Sequence, residues 1–480
     1  MNTEPLRFIE NGGIDENTAA RIVEAGVRVL KRVGLTVDGN DEFFDYLRAY
    51  GCGIDGKHVS FPDAVIDKVM ARIAEGRKHS DGQPFMPTER ITLYSSGQGS
   101  LWNAPEDDRP RSANRSDLGA YCRMLDALEM PRLHPGIIPE DVPRPTADLH
   151  AFATIALNSR APSRVSPYSA SILPYFIDIM TIVTGSREEA VNQAPFSCKL
   201  WINTPLMISR EVIEMALLSR RLLRHKLAVT IMPVSGVSSP VSVAGAIVQE
   251  VAEVLASNTI TLAIDDNLVG YCSSTMAFDM TSNHTCEAGP DSDIRRIAGA
   301  QVAKHWFGYP FIPSGIAPRT SASVPGVQSM MEKGIDMTLE VMRGTRDFAS
   351  AGTLSQGDTL SAVQLLLDIE LRDYLQRLIS PIDVSDEALA EEIISEVAPQ
   401  GARYLETEHT LLRYRQELWF PRLMDRRSIK AWPDNPVTML DKARTRALEL
   451  LANAPNQCSL DQSQRREIER ICAAADRDLA

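Results

Sequence analysis

Apolar residues recur at helical spacing in the first part of the chain. The segment IDENTAARIVEAGVRVLKRVGLTV carries one broad apolar stripe, and Gly34 marks the end of this first predicted helix. DEFFDYLRAYGCGID predicts a second short helix, KHVSFPDAVIDKVMARIAE a strand followed by a third helix, and ITLYSS a further strand. We interpret residues 1–115 as an N-terminal accessory region of helices and small strands.

From about residue 130, short apolar stretches alternate with helical patterns. The stretches predict strands at 132–139, 163–169, 197–204, 227–236, 259–266, 268–275, 310–316 and 347–354. The patterns between them predict helices at 145–158, 171–186, 209–224, 240–257, 290–307 and 325–344. Eight strand–helix units in residues 116–380 predict an α/β fold, a TIM (β/α)8 barrel. An open doubly wound sheet is the alternative, although no GxGxxG motif follows a strand.

The last third of the chain is again helical. LSAVQLLLDIELRDYLQRLI predicts the helix that closes the barrel. The patterns DEALAEEIISEVA, LETEHTLLRYRQELWFPRLM and PVTMLDKARTRALELLANA then predict a C-terminal helical region over residues 381–480. Long apolar helices in this region favour a homo-oligomer.

Composition narrows the functional class. The 480 residues are 44% hydrophobic and carry a formal net charge of -13, which argues against general binding to nucleic acid or to an anionic membrane. We find no run near the roughly 20 apolar residues of a membrane span, and the start MNTEPLRFIENGG lacks the features of a signal peptide. Seven scattered cysteines without a CxxC pair indicate reduced thiols in a cytoplasmic protein.

The histidines and tryptophans give no cofactor signal. His284 and His305 have no partner at metal-ligand spacing, so we predict no metal site. Trp201, Trp306 and Phe307 are expected in the core.

An ordered series of segments resembles one protein family. HPGIIPEDVP, WINTPLMISREVIEMALLSRR, PVSGVSSPVSVAGAIVQEVAEVLA, GTLSQGDTLSAVQLLLDIEL and YLETEHTLLRYRQELWFPRLMDRRSIKAW are similar to the trimethylamine methyltransferase family. RVLKRVGLTVDGNDEFFDYLRAYGCGIDGKHVSFP and RPRSANRSDLGAYCRMLDAL resemble its leading region. No single motif is decisive, but the order of the series is specific and covers nearly the whole chain.

The resemblance implies a fold, a reaction and a partner. Family members are TIM barrels that move a methyl group from a methylated amine to a cobalamin-type corrinoid carried by a separate small protein. The founding members contain pyrrolysine, whereas this chain has only standard residues. The nearer analogy is therefore the branch that demethylates quaternary amines such as glycine betaine, with no cofactor bound permanently to this chain.

Three departures leave the amine open. Relatives tend to have Pro-Gly-Ala-Pro between strands five and six, where this chain has Asp265, Asp266 and Asn267. PRTSASVPGVQ stands where many have Asp-Ala-Lys, and Ala349 where relatives often have histidine. All three lie at predicted strand ends, where a barrel contacts its substrate.

The chemistry selects the candidate residues. When a methyl group is displaced from a quaternary ammonium a neutral tertiary amine leaves, so the protein mainly orients the substrate and supplies electrostatics. Aromatic faces and carboxylates would hold the cation, and a betaine carboxylate would need an Arg, Asn, Gln or backbone N–H partner. The substrate-binding candidates at predicted strand ends are Glu140, Tyr168, Asn203, Asp265, Asp266, Tyr271, Arg319, Gln356 and Asp358. No catalytic residue is assigned.

Several candidates also have a purely structural interpretation. Glu140 fits a helix N-terminus, Tyr168 fits interior packing, and Asn203 fits a helix cap, although Ser209 is better placed to cap the next helix.

The same holds for the charged candidates and for the loop after the eighth strand. Asp265 and Asp266 could solvate a tight turn, and Arg319 could be an ordinary surface arginine. In AGTLSQGDTL the glycines explain a turn and Ser361 a helix cap, which leaves Gln356 and Asp358 as site residues.

Two other functions remain open at this point. A TIM-barrel lyase or hydrolase could use Asp265 and Asp266 without corrinoid. A non-catalytic protein could bind methylated osmolytes without turning them over.

Overall fold

The computed structural model describes residues 14–80, 90–131, 136–161, 165–193, 199–223, 226–271, 275–308, 318–431 and 436–479. Its helices are α1 (Glu16–Val33), α2 (Asp41–Tyr50), α3 (Asp63–Ser80), α4 (Arg115–Ala127), α5 (Ala147–Asn158), α6 (Leu173–Thr184), α7 (Arg187–Asn192), α8 (Arg210–Leu223), α9 (Val243–Asp265), α10 (Pro290–Phe307), α11 (Val327–Met342), α12 (Ala362–Leu378), α13 (Asp386–Leu389), α14 (Glu391–Val397), α15 (Glu408–Glu417), α16 (Met439–Asn453) and α17 (Gln462–Leu479).

The strands are short. They are β1 (Leu35–Val37), β2 (Gly53–Asp55), β3 (His58–Ser60), β4 (Thr92–Ser95), β5 (Gln98–Gly99), β6 (Leu101–Asn103), β7 (Pro110–Ser112), β8 (Gly136–Ile137), β9 (Leu200–Trp201), β10 (Met207–Ile208), β11 (Val229–Thr230), β12 (Val234–Ser235), β13 (Met276–Asp279), β14 (His284–Cys286), β15 (Asp347–Ala351), β16 (Thr353–Leu354) and β17 (Thr359–Ser361).

Amphipathic patterns located most helices correctly. α1 buries Ile22, Val23 and Leu30 of the predicted stripe, whereas Val33 at its end is exposed. It begins where the Asp15 carboxylate accepts a hydrogen bond from Thr18 N (2.7 Å) and ends at Gly34, whose φ is 69°. α10 spans the predicted range 290–307, and α5, α6, α8 and α11 lie within or almost within theirs. The highly charged α17 was not predicted.

The predicted strand at 259–266 is wrong, because α9 runs through it to Asp265. This helix is buried on nearly every side and therefore shows no amphipathic period. The side chains of Ser257, Asn258 and Thr259 donate hydrogen bonds to carbonyls four residues earlier, at 2.7–2.8 Å, which satisfies polar groups inside the core.

α9 also corrects the expectation about membrane-length segments. By length and composition it is long and apolar enough to cross a bilayer. However, 83% of its most apolar window is buried inside the protein, where it packs against α1 and α10. It is the central helix of a protein core.

The other predicted strands have mixed outcomes. β15 and β16 confirm the strand at 347–354, while β8, β9 and the pair β11 and β12 fall inside 132–139, 197–204 and 227–236. Residues 165–169 form no regular strand, and in the sixth stretch the strand begins only at Met276. The predicted strand at 310–316 lies outside the described residues.

The described strands form six small sheets with several parallel pairs. β9 pairs in parallel with β11, and β12 with β13. The accessory region joins the same arrangement, because β4 pairs in parallel with β15 and β6 with β17. Residues on both sides of position 115 therefore build the surroundings of the predicted eighth strand.

Two hydrophobic cores hold these elements. One is formed by α4–α6, α12, α16 and α17, and the other by α1–α3 and α8–α10. The N-terminal and C-terminal helices thus each complete a core with central elements, so neither end packs by itself.

Candidate functional site

The loop after β15, residues 352–358, has an unusual backbone. Ser355 and Gln356 adopt left-handed conformations with φ of 46° and 59°, and Gly352 has φ of 82°. Left-handed backbone at residues other than glycine costs energy and occurs mainly where surrounding contacts enforce it, often at functional sites.

A buried ion pair enforces the start of this loop. The Asp368 carboxylate of α12 accepts hydrogen bonds from Gly352 N (2.8 Å) and from Lys333 Nζ of α11 (2.7 Å). The Lys333 and Asp368 side chains are 0% and 1% exposed. The pair of Lys333 on α11 and Asp368 on α12 therefore fixes the start of the loop through Gly352 N.

Gln356 connects this loop to two other segments. Its side-chain oxygen accepts hydrogen bonds from Glu287 N (2.9 Å) and Thr285 Oγ1 (3.2 Å), just after and within β14. Its backbone N–H donates to Thr320 O (2.8 Å), and its carbonyl accepts from Arg319 Nη1 (2.7 Å). Three segments of the chain, 285–287, 319–320 and the loop itself, therefore meet at Gln356.

A charged group surrounds Gln356. Arg319 Nη1 lies 2.5 Å from Glu287 Oε2, with the two side chains 30% and 14% exposed. Burial raises the pKa of Glu287; the Arg319 guanidinium opposes this change, and the negative charge of Asp358 adds to it.

Two charges in this group are open to a ligand. The exposed Asp358 carboxylate makes no hydrogen bond or ion pair with a residue that the structure describes. Arg319 uses only Nη1 for its contacts, so no described residue accepts a hydrogen bond from its Nε or Nη2. A carboxylate and a partly free guanidinium thus stand beside the same residue, Gln356, and can bind a molecule with both charges.

Three sequence candidates, Arg319, Gln356 and Asp358, are therefore brought together. Glu287 completes the group but was missed, because it falls outside the predicted strands. One sequence feature could have located Glu287: it is an acidic residue two positions before Gly289, and Gly289–Pro290 marks the start of α10.

Asp265 and Asp266 lie at the end of α9, whereas we expected them at a strand end. Asp265 accepts hydrogen bonds from Arg220 Nε (2.5 Å) and Leu227 N (2.7 Å). Asp266 is exposed in the left-handed cap position and lies 3.3 Å from Arg72. Each carboxylate has its own structural partner, and the two do not form a shared binding site.

Glu140 and Tyr168 form no hydrogen bond or ion pair with Arg319, Glu287 or Gln356 in the part of the chain that the structure describes. Glu140 accepts a hydrogen bond from Ser112 Oγ (2.5 Å), which lowers the pKa of its exposed carboxyl. The Tyr168 side chain is 53% exposed, and its backbone N–H donates to the buried Asp148 (2.6 Å). Burial raises the pKa of Asp148 to about 6.

Asn203 and Tyr271 are held by structural contacts. Asn203 Oδ1 accepts a hydrogen bond from Ser209 N (3.1 Å), so the expectation that Ser209 would leave it free is wrong. Tyr271 is buried edge-on against Trp306 and Phe307, with ring centroids 6.5 and 6.3 Å away.

Of the two tryptophans expected in the core, one is buried and one is not. Trp306 is in the core together with Phe307, as expected, whereas Trp201 is 42% exposed. Among the residues with described positions, no three His, Cys, Asp or Glu side chains are grouped to hold a metal ion.

Comparison with known proteins gives the family. The profile described as trimethylamine methyltransferase (MTTB) matches residues 6–479. The trimethylamine methyltransferase of Methanosarcina acetivorans is 30% identical over 290 residues, which are 59% of this chain and 57% of that protein. The chain thus aligns with little more than half the length of this relative.

Two relatives from Desulfitobacterium hafniense align over more of the chain. One, named trimethylamine methyltransferase, is 23% identical over 88% of this chain and 85% of its own length. The other, named glycine betaine methyltransferase, is 21% identical over 92% of both. The family match extends through the accessory region, the strand–helix units and the C-terminal helices, and this chain belongs to the trimethylamine methyltransferase (MTTB) family.

Proposed function

We propose that this chain is a methyltransferase that takes a methyl group from a betaine-like quaternary amine and passes it to the Co(I) corrinoid of a separate corrinoid protein. The family match over residues 6–479 carries the reaction class. The relatives named for trimethylamine and for glycine betaine support a methylated amine as substrate. A TIM barrel in the cytoplasm is part of this proposal, and the parallel pair of β9 with β11 is what its third and fourth strands require.

The charged group around Gln356 favours a zwitterion. Asp358 provides a carboxylate for the ammonium end. Arg319 provides free N–H groups for the carboxylate end, and Glu287 partly balances its charge. A simple amine would use only one of these two groups, whereas a betaine uses both.

The residues of this chain act by positioning. The reduced corrinoid of the partner protein would supply the nucleophile that accepts the methyl group, and the electron pair of the broken C–N bond would stay on nitrogen, giving a neutral tertiary amine. Because that leaving group is neutral, no proton donor is needed. Fixing both ends of the substrate directs one methyl group outward, which lowers the entropic part of the barrier.

An apolar rim near the site fits a protein that delivers the corrinoid. Val237 and Val241 follow β12, and Met280 is at the tip of the hairpin formed by β13 and β14; their side chains are 62%, 64% and 66% exposed. The hairpin tip is a few strand residues, about 10 Å, from Glu287. Exposed apolar groups beside a charged group are typical of a docking surface.

Methyl transfer to Co(I)-cobalamin tests this function directly. Glycine betaine, carnitine, choline, proline betaine and trimethylamine are supplied in turn, and methylcobalamin is followed by absorbance. We expect turnover with a betaine and little or none with trimethylamine. If no methylated amine reacts with free cobalamin or with a corrinoid protein, the proposal is wrong, and tight binding without turnover would instead identify an osmolyte-binding protein.

The lyase or hydrolase alternative has no structural support at Asp265 and Asp266. Their carboxylates are engaged by Arg220, Leu227 N and Arg72.

A further inference from the structure

The loop between β12 and α9, residues 236–242, is held in place by two side chains. Ser235 Oγ donates a hydrogen bond to the carbonyl of Pro240 (2.9 Å), and Gln249 Nε2 donates one to the carbonyl of Ser238 (2.7 Å). These bonds connect the loop to the strand before it and to the helix after it. The loop therefore presents the start of α9 in a fixed orientation.

The N-terminus of α9 has no side-chain cap. Ser242 occupies the N-cap position, but its side chain accepts no hydrogen bond from the helix. No residue in the described part of the chain accepts a hydrogen bond from the N–H groups of Val243, Ala244 or Gly245. Ser242 and Ala244 are exposed, so the first turn is open to solvent. The positive end of a 23-residue helix dipole is thus accessible to an anion.

Arg295 of α10 places a buried positive charge against this turn. The residue is 8% exposed, and its Nη2 donates to the carbonyl of Val241 (2.9 Å), directly before the N-cap residue. Its Nη1 donates to the carbonyl of Asp291 (2.5 Å), whereas its Nε is buried and has no hydrogen-bond partner among the described residues. The buried Ser239 Oγ of the same loop also has no partner within the described ranges.

No carboxylate of a described residue forms an ion pair with Arg295. In the first turn of α10, Asp293 binds Arg296, and Asp291 contacts Arg295 through its backbone carbonyl. The undescribed stretches before β13 and after α10 contain no acidic residue. Because a buried charge without a partner is costly, a guanidinium in this position favours an anion beside it.

We propose that the start of α9 is a binding site for a phosphate group, formed by the N–H groups of 243–245, the hydroxyl of Ser242 and the positive charge of Arg295. A phosphate group accepts several hydrogen bonds at once and carries the charge that a helix N-terminus and a guanidinium both favour. A smaller anion would use fewer of these donors.

The phosphate group has two possible sources. One is free phosphate. The other is the phosphodiester in the nucleotide loop of the corrinoid, because Ser242 directly follows Val241 of the exposed apolar rim. This second source rests on the proposed function, whereas the site itself does not.

An acidic residue at the N-cap tests the helix start. Ser242→Asp supplies the missing cap, so the variant should fold and be at least as heat-stable as wild type. Calorimetric titration with inorganic phosphate at constant ionic strength should nevertheless show at least about tenfold weaker binding, because the added carboxylate repels the ligand. Ser186→Asp, the same change at the exposed N-cap of α7, is the matched control and should bind phosphate as wild type does.

Arg295→Gln tests the buried charge. The glutamine amide can still donate a hydrogen bond to a carbonyl but carries no charge. Without phosphate, the variant should be as stable as wild type or more stable, because an unpaired buried charge has been removed. Its affinity for phosphate should fall at least about tenfold, and phosphate should raise the unfolding temperature of wild type more than that of the variant. A purely structural arginine would give the opposite result, a less stable protein with unchanged affinity.

Two corrinoids separate the sources of the phosphate group. Cobalamin has a nucleotide loop with a phosphodiester, and cobinamide lacks it. If the corrinoid is the source, wild type should methylate cob(I)alamin with a higher kcat/KM than cob(I)inamide, and Ser242→Asp should lose this preference. If free phosphate is the source, both corrinoids should react equally well with wild type and with the variant.

The site is refuted if wild type does not bind phosphate saturably at constant ionic strength, or if either Ser242→Asp or Arg295→Gln leaves the affinity unchanged. Calorimetry and thermal unfolding require no methyl transfer. A failure of the proposed reaction is therefore distinguishable from a failure of this site.

Discussion

Asp358 and Arg319 differ in the number of contacts that their side chains make inside the protein. This difference determines the expected effect of replacing each residue. Asp358 is exposed and unpaired among the described residues, so its charge serves no visible structural purpose. Arg319 holds the Gln356 carbonyl and Glu287 through one nitrogen, while no residue that the structure describes bonds its other two nitrogens. Replacing Asp358 should therefore affect the ligand alone.

Asp358→Asn should raise KM for a quaternary amine about tenfold, which corresponds to about 1.4 kcal/mol, because the ammonium loses its nearest open carboxylate. The unfolding temperature should not change. Initial rates of methyl transfer against substrate concentration measure the effect, with the exposed Asp67→Asn of α3 as control. An unchanged KM would place the cation elsewhere.

Arg319→Lys should separate ligands by their carboxylate. Lysine keeps the positive charge that faces Glu287. It lacks the planar guanidinium, which can donate hydrogen bonds to a ligand carboxylate and to the Gln356 carbonyl at the same time. Calorimetric binding should show about a tenfold loss for glycine betaine and less than about a twofold change for choline, which has no carboxylate. Equal losses for both ligands would mean that Arg319 only supports the loop.

At the scale of elements, the loop 352–358 depends on α11 and α12. Lys333→Met removes the cation beside the buried Asp368 carboxylate and should destabilise the protein by about 3–5 kcal/mol. Urea denaturation measures this change. Arg48→Met, which breaks an exposed 2.7 Å pair with Asp45, is the control and should cost less than about 1 kcal/mol.

The double variant Lys333→Met/Asp368→Asn distinguishes charge from packing. Asparagine retains an acceptor for Gly352 N but carries no charge, so it should recover at least about 1 kcal/mol of the loss. A double variant no more stable than Lys333→Met would attribute the loss to packing around the lysine stem or to the asparagine amide nitrogen, which would face the donor Gln364 Nε2.

The elements also show what sequence patterns can predict. α10 was located at both ends because Gly289–Pro290 begins it and Gly308 ends it. The second half of α9 was misread as a strand because its β-branched residues are buried all round, and burial on every side removes the period that separates helix from strand. The site was predicted in part: Arg319, Gln356 and Asp358 follow predicted strands, whereas Glu287 follows a hairpin whose reversal no local pattern revealed.

At the scale of the whole molecule, the two cores are assembled from distant parts of the chain. β6 of the accessory region pairs with β17 directly after the 352–358 loop, and α16 packs on α12 below it. The site therefore rests on contacts that are distant in sequence, which a local pattern cannot anticipate.

The cores also contain carboxyl groups that couple stability to pH, and Glu253 on α9 is the clearest. Burial raises the pKa of this carboxyl from 4.5 to about 7, although Leu206 N (2.9 Å) and Thr204 Oγ1 (3.1 Å) donate to it. Because the folded pKa lies above the unfolded one, the folded protein holds this proton more tightly. The stability linked to this group is fully present below about pH 4.5 and is lost as the pH rises through about 7.

Glu253→Gln should remove this dependence, because the amide keeps an acceptor for Leu206 N and carries no charge at any pH. Its stability relative to wild type, from urea denaturation, should increase by about 2 kcal/mol between about pH 5 and about pH 8. Glu211→Gln, on the exposed side of α8, should show no such trend. A constant difference across this range would mean that Glu253 stays charged in the folded protein, and that its hydrogen bonds to Leu206 and Thr204 outweigh its burial in the core.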